Sequence, residues 1–384
     1  MLRHGYDPRL AAGTVAATAT LAQVFPPAIV LILLADQLGN AYQSAQLSQG
    51  IFAPRTVSVP DLFAGALIPA FALVGLYLVY LIAVAVFRPA MSPAIAGEPG
   101  KRGAPLLLKL AEALIAPLAL IAAVLGSILA GLATPTEAAA VGAFGAALLA
   151  ARSTKKALLW LVLLLALVLA LRMGGASAAL SLFRGGEMIS KFAVGLALAA
   201  GASFLLAPLL WVARAGLLAP VLHRTAQITS MIFVILIGAT VFSLVFRGLH
   251  GDDLVHRVLS ELPGGTAGAI FAVMLAMFLL GFVMDAFEII FVVVPIVAPP
   301  LLKMHGVDPV WLGVMMAVNL QTSYMHPPLG PTLFFLRGAA PPEITTRHIY
   351  VGIIPFVLIQ LVALWVLWLA PGLATWLPGK LYGG

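Results

Sequence analysis

Two stretches decide the fold: ATATLAQVFPPAIVLIL, from Ala17 to Leu33, and NLQTSYMHPPLGPTLFFLRG, from Asn319 to Gly338. Each is an apolar, helix-forming run interrupted by a proline pair, Pro26-Pro27 in the first and Pro327-Pro328 in the second. Paired prolines delete backbone N–H donors and clash with the preceding turn, so carbonyls near the middle of each run lose their helical partners. At membrane depth such a break is tolerated only where it lines protein or a cavity. The two breaks also share a spacing with a second landmark. His4–Pro8 (HGYDP) matches His305–Pro309 (HGVDP) at an offset of 305 − 4 = 301, and the proline pairs match at that same offset. Two punctuated landmarks at one spacing mark an internal repeat of the kind from which membrane carriers are built. Further on, DLFAGALIP ending at Pro69 echoes HIYVGIIP ending at Pro355, with a slipped register.

Composition sets the class. Over 384 residues the chain is 62% hydrophobic and 9% charged, with a mean hydropathy of +1.10, which excludes a soluble globular protein. The charge-free runs 62–87, 192–213, 225–246 and 349–379 each exceed the roughly 20 apolar residues that a helix needs to cross hydrocarbon. They are unbroken and rich in Leu, Ala and Gly, whereas a membrane β-barrel alternates polarity over about 10 residues. The expected fold is therefore an all-α polytopic membrane protein. The net charge of +7 falls in short loops between spans, so it reports topology and not a nucleic-acid partner. There is no cysteine, hence no disulfide, thiolate nucleophile or Cys-based metal site. No Walker A, HExxH or GxSxG sequence occurs, which leaves ATP hydrolysis, zinc proteolysis and esterase chemistry unsupported and argues against an enzyme.

Counting spans orients the repeats. Between broken helices at about 10–35 and 309–336, six crossings are expected at 62–87, 110–132, 135–151, 157–171, 192–213 and 225–246, with 263–302 entering and returning as a hairpin. Six crossings make the second copy run opposite to the first, so the repeats are inverted. Residues 1–88 form the remainder of the first repeat, 89–224 connecting and scaffold helices with two extra spans, and 225–384 the second repeat. Placing residues 1–9 in the cytoplasm gives a modest positive-inside bias. The second copy's turn is preceded by a span and a hairpin, while almost nothing precedes Gly5-Tyr6, so the chain reads as a fragment lacking a first hairpin.

The polar residues near the breaks are the candidate site. Around the second lie Asn319, Gln321, Thr322, Ser323, His326 and Gly330, and around the first Thr14, Thr18, Thr20 and Gln23. Hydroxyls, amides and freed carbonyls are the hard oxygen ligands that Na⁺ needs, and half-helix N-termini suit a carboxylate. One such helix is more simply a proline kink with Ser and Thr bonded back to the backbone; two in corresponding positions reverse that preference. Na⁺ is accordingly expected near Thr18, Thr20, Asn319 and Thr322, with no other cofactor. Asp285 and Glu288, in LGFVMDAFEIIFVVVP, are either intramembrane functional carboxylates or charges at the aqueous tip of the hairpin. Glu137, in ATPTEAAAVGA, reads as a helix-capping acid. His250, Asp252, Asp253 and His256 read as a solvated loop and not as a metal cluster.

Taken together, GYDPRLAAGTVAATATLAQVFPPAIVLIL, TPTEAAAVGA, LGFVMD and NLQTSYMHPPLGPTLFFLRG resemble the large membrane subunit, DctM-like, of tripartite ATP-independent periplasmic (TRAP) transporters. The resemblance implies an elevator-type, Na⁺-driven symporter of organic acids. It implies two partners, a small DctQ-like membrane subunit and a periplasmic DctP-like binding protein that delivers the substrate. It also implies that Pro26-Pro27, Pro327-Pro328 and the hairpin tip near Asp285 frame the substrate and sodium sites. Family members often carry Thr where this chain has His326 and Ser where it has Ala28. Two other readings stay open: a carboxylate carrier that works without a binding protein, and a non-transporting remnant or scaffold.

Overall fold

The computed structural model describes residues 1–94, 104–151, 210–328 and 330–382. Among these, every regular element is helical. In chain order they are α1 (Pro8–Thr20), α2 (Ile29–Ser48), α3 (Val59–Phe87), α4 (Ala104–Leu129), α5 (Pro135–Ala151), α6 (Leu218–Gly248), α7 (Gly251–Glu261), α8 (Gly265–Leu280), α9 (Ala286–Lys303), α10 (Pro309–Tyr324), α11 (Pro331–Ala339), α12 (Thr346–Leu369) and α13 (Gly372–Tyr382). Of the described helices, α3, α6, α9 and α12 are long and apolar enough to cross a membrane unaided. Helices α7 and α8 meet at a bend of 119°. The expected span 157–171 and most of 192–213 lie outside the described residues.

Two compact units divide the chain, Met1–Ala96 with Met231–Gly384, and Gly97–Ser230. In the second, α4 packs on α5. Thr134 starts α5 with a reciprocal cap: its N–H donates to Glu137 Oε2 at 2.8 Å, and the Glu137 N–H donates to Thr134 Oγ1 at 3.3 Å. Glu137 thus closes a helix N-terminus, the role its position after Thr134-Pro135 suggests.

The first unit holds both copies of the repeated text, and the backbone repeats with the sequence. Gly5 and Gly306 both take a left-handed φ, 75° and 82°, which a side chain would resist. Asp7 and Asp308 follow, each accepting a hydrogen bond from the helix it starts, from the Arg9 N–H at 2.7 Å and the Trp311 N–H at 2.8 Å. Pro8 and Pro309 occupy the first helical position, where a missing N–H costs nothing. Both proline pairs are cis. The slipped third match recovers a register in the caps. Ser58 with Asp61 and Thr345 with His348 are both capping boxes, separated by 345 − 58 = 348 − 61 = 287, and Gly65 and Gly352 fall at that same separation.

Those glycines join the copies to one another. In the first copy α1 packs on α12 of the second, with Gly13 and Gly352 so close that a Cβ on either would strike the other strand of backbone. In the second copy α10 packs on α3 of the first, where Gly65 lies against Val310 and Val314. Val314 is the counterpart of Gly13, 314 − 13 = 301, so the two contacts are reciprocal. Around them Ala12, Ala16, Tyr77, Met325, Ile353 and Phe356 form one buried cluster.

Element ends depart from the expected ones in two places. The first broken helix does not end near residue 35 but continues to Ser48, because the solvated Asp36 and Asn40 do not break it, Gly39 stays helical, and the left-handed turn that stops it comes at Gly50, φ 82°. The last apolar run is not a single span from 349 to 379: α12 stops at Leu369, before Pro371, and α13 is a separate short helix. The stretch 263–302, expected to enter and return as a hairpin, forms α8 and α9, joined by the turn at residues 281–285.

Candidate functional site

The second break is built in the most enclosed helix among those described. From Trp311 to Ser323 every residue of α10 is buried. After Tyr324 the helix stops, Pro327-Pro328 turn the chain, and α11 resumes at Pro331. Gly330 caps that restart. Its N–H donates to the His326 carbonyl at 2.8 Å, and a Cβ there would collide with the Tyr324 and His326 backbone, so only glycine fits.

The hairpin tip closes over this break. Asp285 is the N-cap of α9, and its N–H donates to Glu288 Oε2 at 3.2 Å in a reciprocal box. The Tyr324 hydroxyl donates to Asp285 Oδ1, tying the tip to the end of α10. Gly281, where α8 ends, sits so near the Ser323 side chain that a Cβ would overlap it. Asn319 Nδ2 donates to the Met274 carbonyl of α8 at 2.8 Å. The His326 ring stands edge-on to Phe278 and Phe282, with centroids 5.1 and 4.3 Å away, and its Nδ1 meets the Pro327 carbonyl.

The two breaks meet at one pair of residues. Gln321 Nε2 donates to Thr20 Oγ1 at 3.4 Å, and the partners are each other's counterparts, 321 − 20 = 301. The Thr20 hydroxyl has acceptors in the Ala17 carbonyl at 2.9 Å and the Met325 sulfur at 3.0 Å. Gln321 Oε1 and Gln23 Oε1 are buried without a hydrogen-bond partner among the described residues. An unpaired buried polar oxygen costs about 1–3 kcal/mol, so these two acceptors are the unfilled capacity of the region.

The other candidate hydroxyls bond back along their own helices: Thr14 to Leu10, Thr18 to Thr14, Thr322 to Val318 and Ser323 to Asn319, at 2.7, 2.7, 2.8 and 2.9 Å. Each keeps oxygen lone pairs for a further contact. The structure therefore brings together Thr20 with Gln321, and Asp285 with the end of α10. No described hydrogen bond links Thr14 or Thr18 to Asn319 or Thr322, and Thr18 is exposed while Asn319 and Thr322 are buried. Glu288 lies at the tip as a cap of α9. Pro26 is buried and Pro27 exposed. Tyr324 went unread in the sequence, although it is the counterpart of Gln23 and lies three residues before the proline pair; that register was the available signal. Elsewhere, Arg247 pairs with Asp252 at 3.6 Å and His250 with Asp253 at 3.5 Å, all exposed, and the described residues contain no cluster of three or more His, Asp or Glu suited to a metal.

Residues 1–180 and 150–373 match the family model described as tripartite ATP-independent periplasmic transporter, DctM component. Among the curated relatives, the C4-dicarboxylate TRAP transporter large permease protein DctM of Vibrio cholerae is 24% identical over 401 residues, taking in 100% of this chain and 71% of its own length. The protein of the same description from Pseudomonas aeruginosa is 25% identical over 386 residues, 99% of this chain and 70% of its own. The 2,3-diketo-L-gulonate TRAP transporter large permease protein YiaN of Escherichia coli is 27% identical over 139 residues, 36% of this chain and 32% of its own.

Proposed function

Because the chain belongs to the DctM component family of TRAP transporters and is a multi-pass protein of the inner membrane, we propose that it takes up an organic acid by Na⁺-coupled secondary transport, receiving it from a periplasmic binding protein and working beside a small membrane subunit. The observation that carries this reading is the meeting of counterparts at Thr20 and Gln321. Two helices broken at matching prolines and joined at Thr20 and Gln321 support a shared site, because such breaks free backbone carbonyls beside the hydroxyls and amides of both copies. Hard oxygen donors of this kind suit Na⁺, and the half-helix N-termini at Ile29 and Pro331 suit a carboxylate.

On this reading the two copies are inverted and move together as an elevator past a scaffold. The reciprocal packing of α1 on α12 and α10 on α3 supports it, since neither copy can shift without carrying a helix of the other. Thr18, Thr20, Asn319 and Thr322 are the proposed sodium neighbourhood. The Asp285 tip, held by Tyr324, serves as the gate on the second copy. Candidate substrates are those printed for relatives, C4-dicarboxylates and 2,3-diketo-L-gulonate, together with other organic acids.

The test is reconstitution in liposomes with the binding protein and small subunit of the same transport system. Labelled organic acid should accumulate under an inward Na⁺ gradient and cease when K⁺ replaces Na⁺. Accumulation that ignores the cation would overturn the coupling; accumulation without the binding protein would overturn the three-part arrangement.

A further inference from the structure

We propose that the cleft between the start of α7 and the end of α9 binds the phosphoethanolamine headgroup of a membrane phospholipid, a phosphate and a primary ammonium on one short stem. The proposal is independent of which ion or acid is transported. Six polar residues of four helices converge on the cleft: Ser44 of α2, Arg247 of α6, Asp252, Asp253 and His256 of α7, and Lys303 of α9. They surround a space of about 130 Å³. Its depth follows from the helices that end beside it. Both α6 and α9 are long and apolar enough to cross a membrane, and they stop at Gly248 and Lys303, so these charges lie where hydrocarbon gives way to water. The inner wall is apolar, made of Ile296, Pro299 and Pro300. Ile296 stands 303 − 296 = 7 residues before the end of α9, about 10 Å along the helix toward its membrane-embedded part. A cleft that is polar at its mouth and apolar inward suits an amphiphile held head outward. Helix α7 is itself of interfacial make-up: it meets α8 at 119°, buries Leu259, exposes Leu254 and Val258, and sets these against Asp252, Asp253, His256 and Arg257.

The charges select the headgroup. Arg247 reaches Asp252 at 3.6 Å and His250 reaches Asp253 at 3.5 Å, both longer than the roughly 2.8 Å of a charge-assisted hydrogen bond. Neither contact saturates its carboxylate. The half-buried Lys303 has no carboxylate partner among the described residues, and its backbone is held in place because its carbonyl accepts from Gln49 Nε2 at 3.1 Å. Lys303 and Arg247 therefore offer donors to phosphate oxygens, while Asp252 and Asp253 offer acceptors to an ammonium. A phosphoglycerol headgroup meets the cations but sets no cation against the two carboxylates. A phosphocholine has the right net charge, yet its trimethylammonium has no N–H to donate. Inorganic phosphate lacks both the ammonium and the apolar stem that the Ile296 wall accepts. Once seated, the lipid ties the start of α7 to the ends of α2 and α9, the helices that pack on one another there.

The test uses the purified chain, delipidated in detergent and titrated with phosphatidylethanolamine, phosphatidylcholine or phosphatidylglycerol of identical acyl chains, with inorganic phosphate as competitor. Native mass spectrometry counts the lipids retained, and the thermal midpoint follows occupancy. One phosphatidylethanolamine should be retained per chain, binding about ten-fold tighter than either other lipid, the value of one charge-assisted hydrogen bond. Lys303→Gln should weaken all three lipids by a similar factor. Asp252→Asn combined with Asp253→Asn should invert the order, so that phosphatidylglycerol binds best; both positions are exposed, so this variant keeps the test sharp even if Lys303→Gln does not fold. Equal retention of the three lipids, or an order that the double variant leaves unchanged, would mean annular lipid only and would overturn the proposal. Displacement of the lipid by millimolar inorganic phosphate would overturn it too, by showing a plain anion site.

Discussion

The break at Pro26-Pro27 and the break at Pro327-Pro328 are the same device in two settings. Both follow an Asp-Pro helix start, both carry polar residues in the turn before the prolines, and both are cis. Yet α10 is buried from Trp311 to Ser323 among α2, α3, α8 and α12, while α1 leaves Val15, Thr18 and Ala22 open. The repeated sequence thus dictates the local backbone, and the neighbour that covers it dictates which side chains can act. A buried Asn319 must find the Met274 carbonyl, whereas an exposed Thr18 can turn back on its own helix.

Pairing each residue with its counterpart gives tests that sharpen or break this comparison. The largest effect is expected where the copies interlock. Gly13→Ala forces a methyl onto the Gly352 backbone and should destabilise the protein by about 3 kcal/mol, seen as a lower thermal midpoint in detergent. Gly65→Ala meets the Val310 side chain, which can yield, and the Ala374 carbonyl, where the overlap is smaller than that of Gly13 with Gly352, so its loss should be smaller, about 2 kcal/mol. Equal losses would mean that the two contacts are not of different stiffness. Next, Asn319→Ala removes a buried amide and its bond to the Met274 carbonyl and leaves a cavity, costing about 2 kcal/mol, while Thr18→Ala should change stability by less than about 0.5 kcal/mol. The smallest pair differs in sign. Tyr324→Phe should cost about 1 kcal/mol and quicken proteolysis at the hairpin tip, whereas Gln23→Leu deletes an unpaired acceptor and should be neutral or slightly stabilising. A marked loss for Gln23→Leu would show that Gln23 Oε1 already has a partner in the purified protein.

The all-helical membrane class and both breaks were legible because each is written locally, in run length and in proline. Asp285 at the tip was legible for the same reason, although its partner was not: Tyr324 lies 39 residues away, and no local pattern encodes that contact. The glycine crossings were hidden likewise, since Gly13 and Gly352 look unremarkable until α1 and α12 are laid together. Element ends failed where polarity was read as a stop. Asp36 ended an apolar run without ending a helix, because a carboxylate inside a helix costs only a fraction of a kcal/mol when solvated. The candidate oxygens were legible as types, but their pairing was not: Thr20 meets Gln321 across 301 positions of chain, while Thr14 and Thr18 bond back along their own helix.

The central claim is that counterparts from the two copies jointly hold the coupling ion, and ion-dependent stability reads this without any partner protein. A site bound only in the native state raises the unfolding midpoint with ion concentration. The thermal midpoint of the purified chain should rise with Na⁺ but not with K⁺ at equal ionic strength, and the rise should vanish in both Thr20→Val and Gln321→Leu. Identical responses to Na⁺ and K⁺, or a full Na⁺ response in both variants, would contradict it.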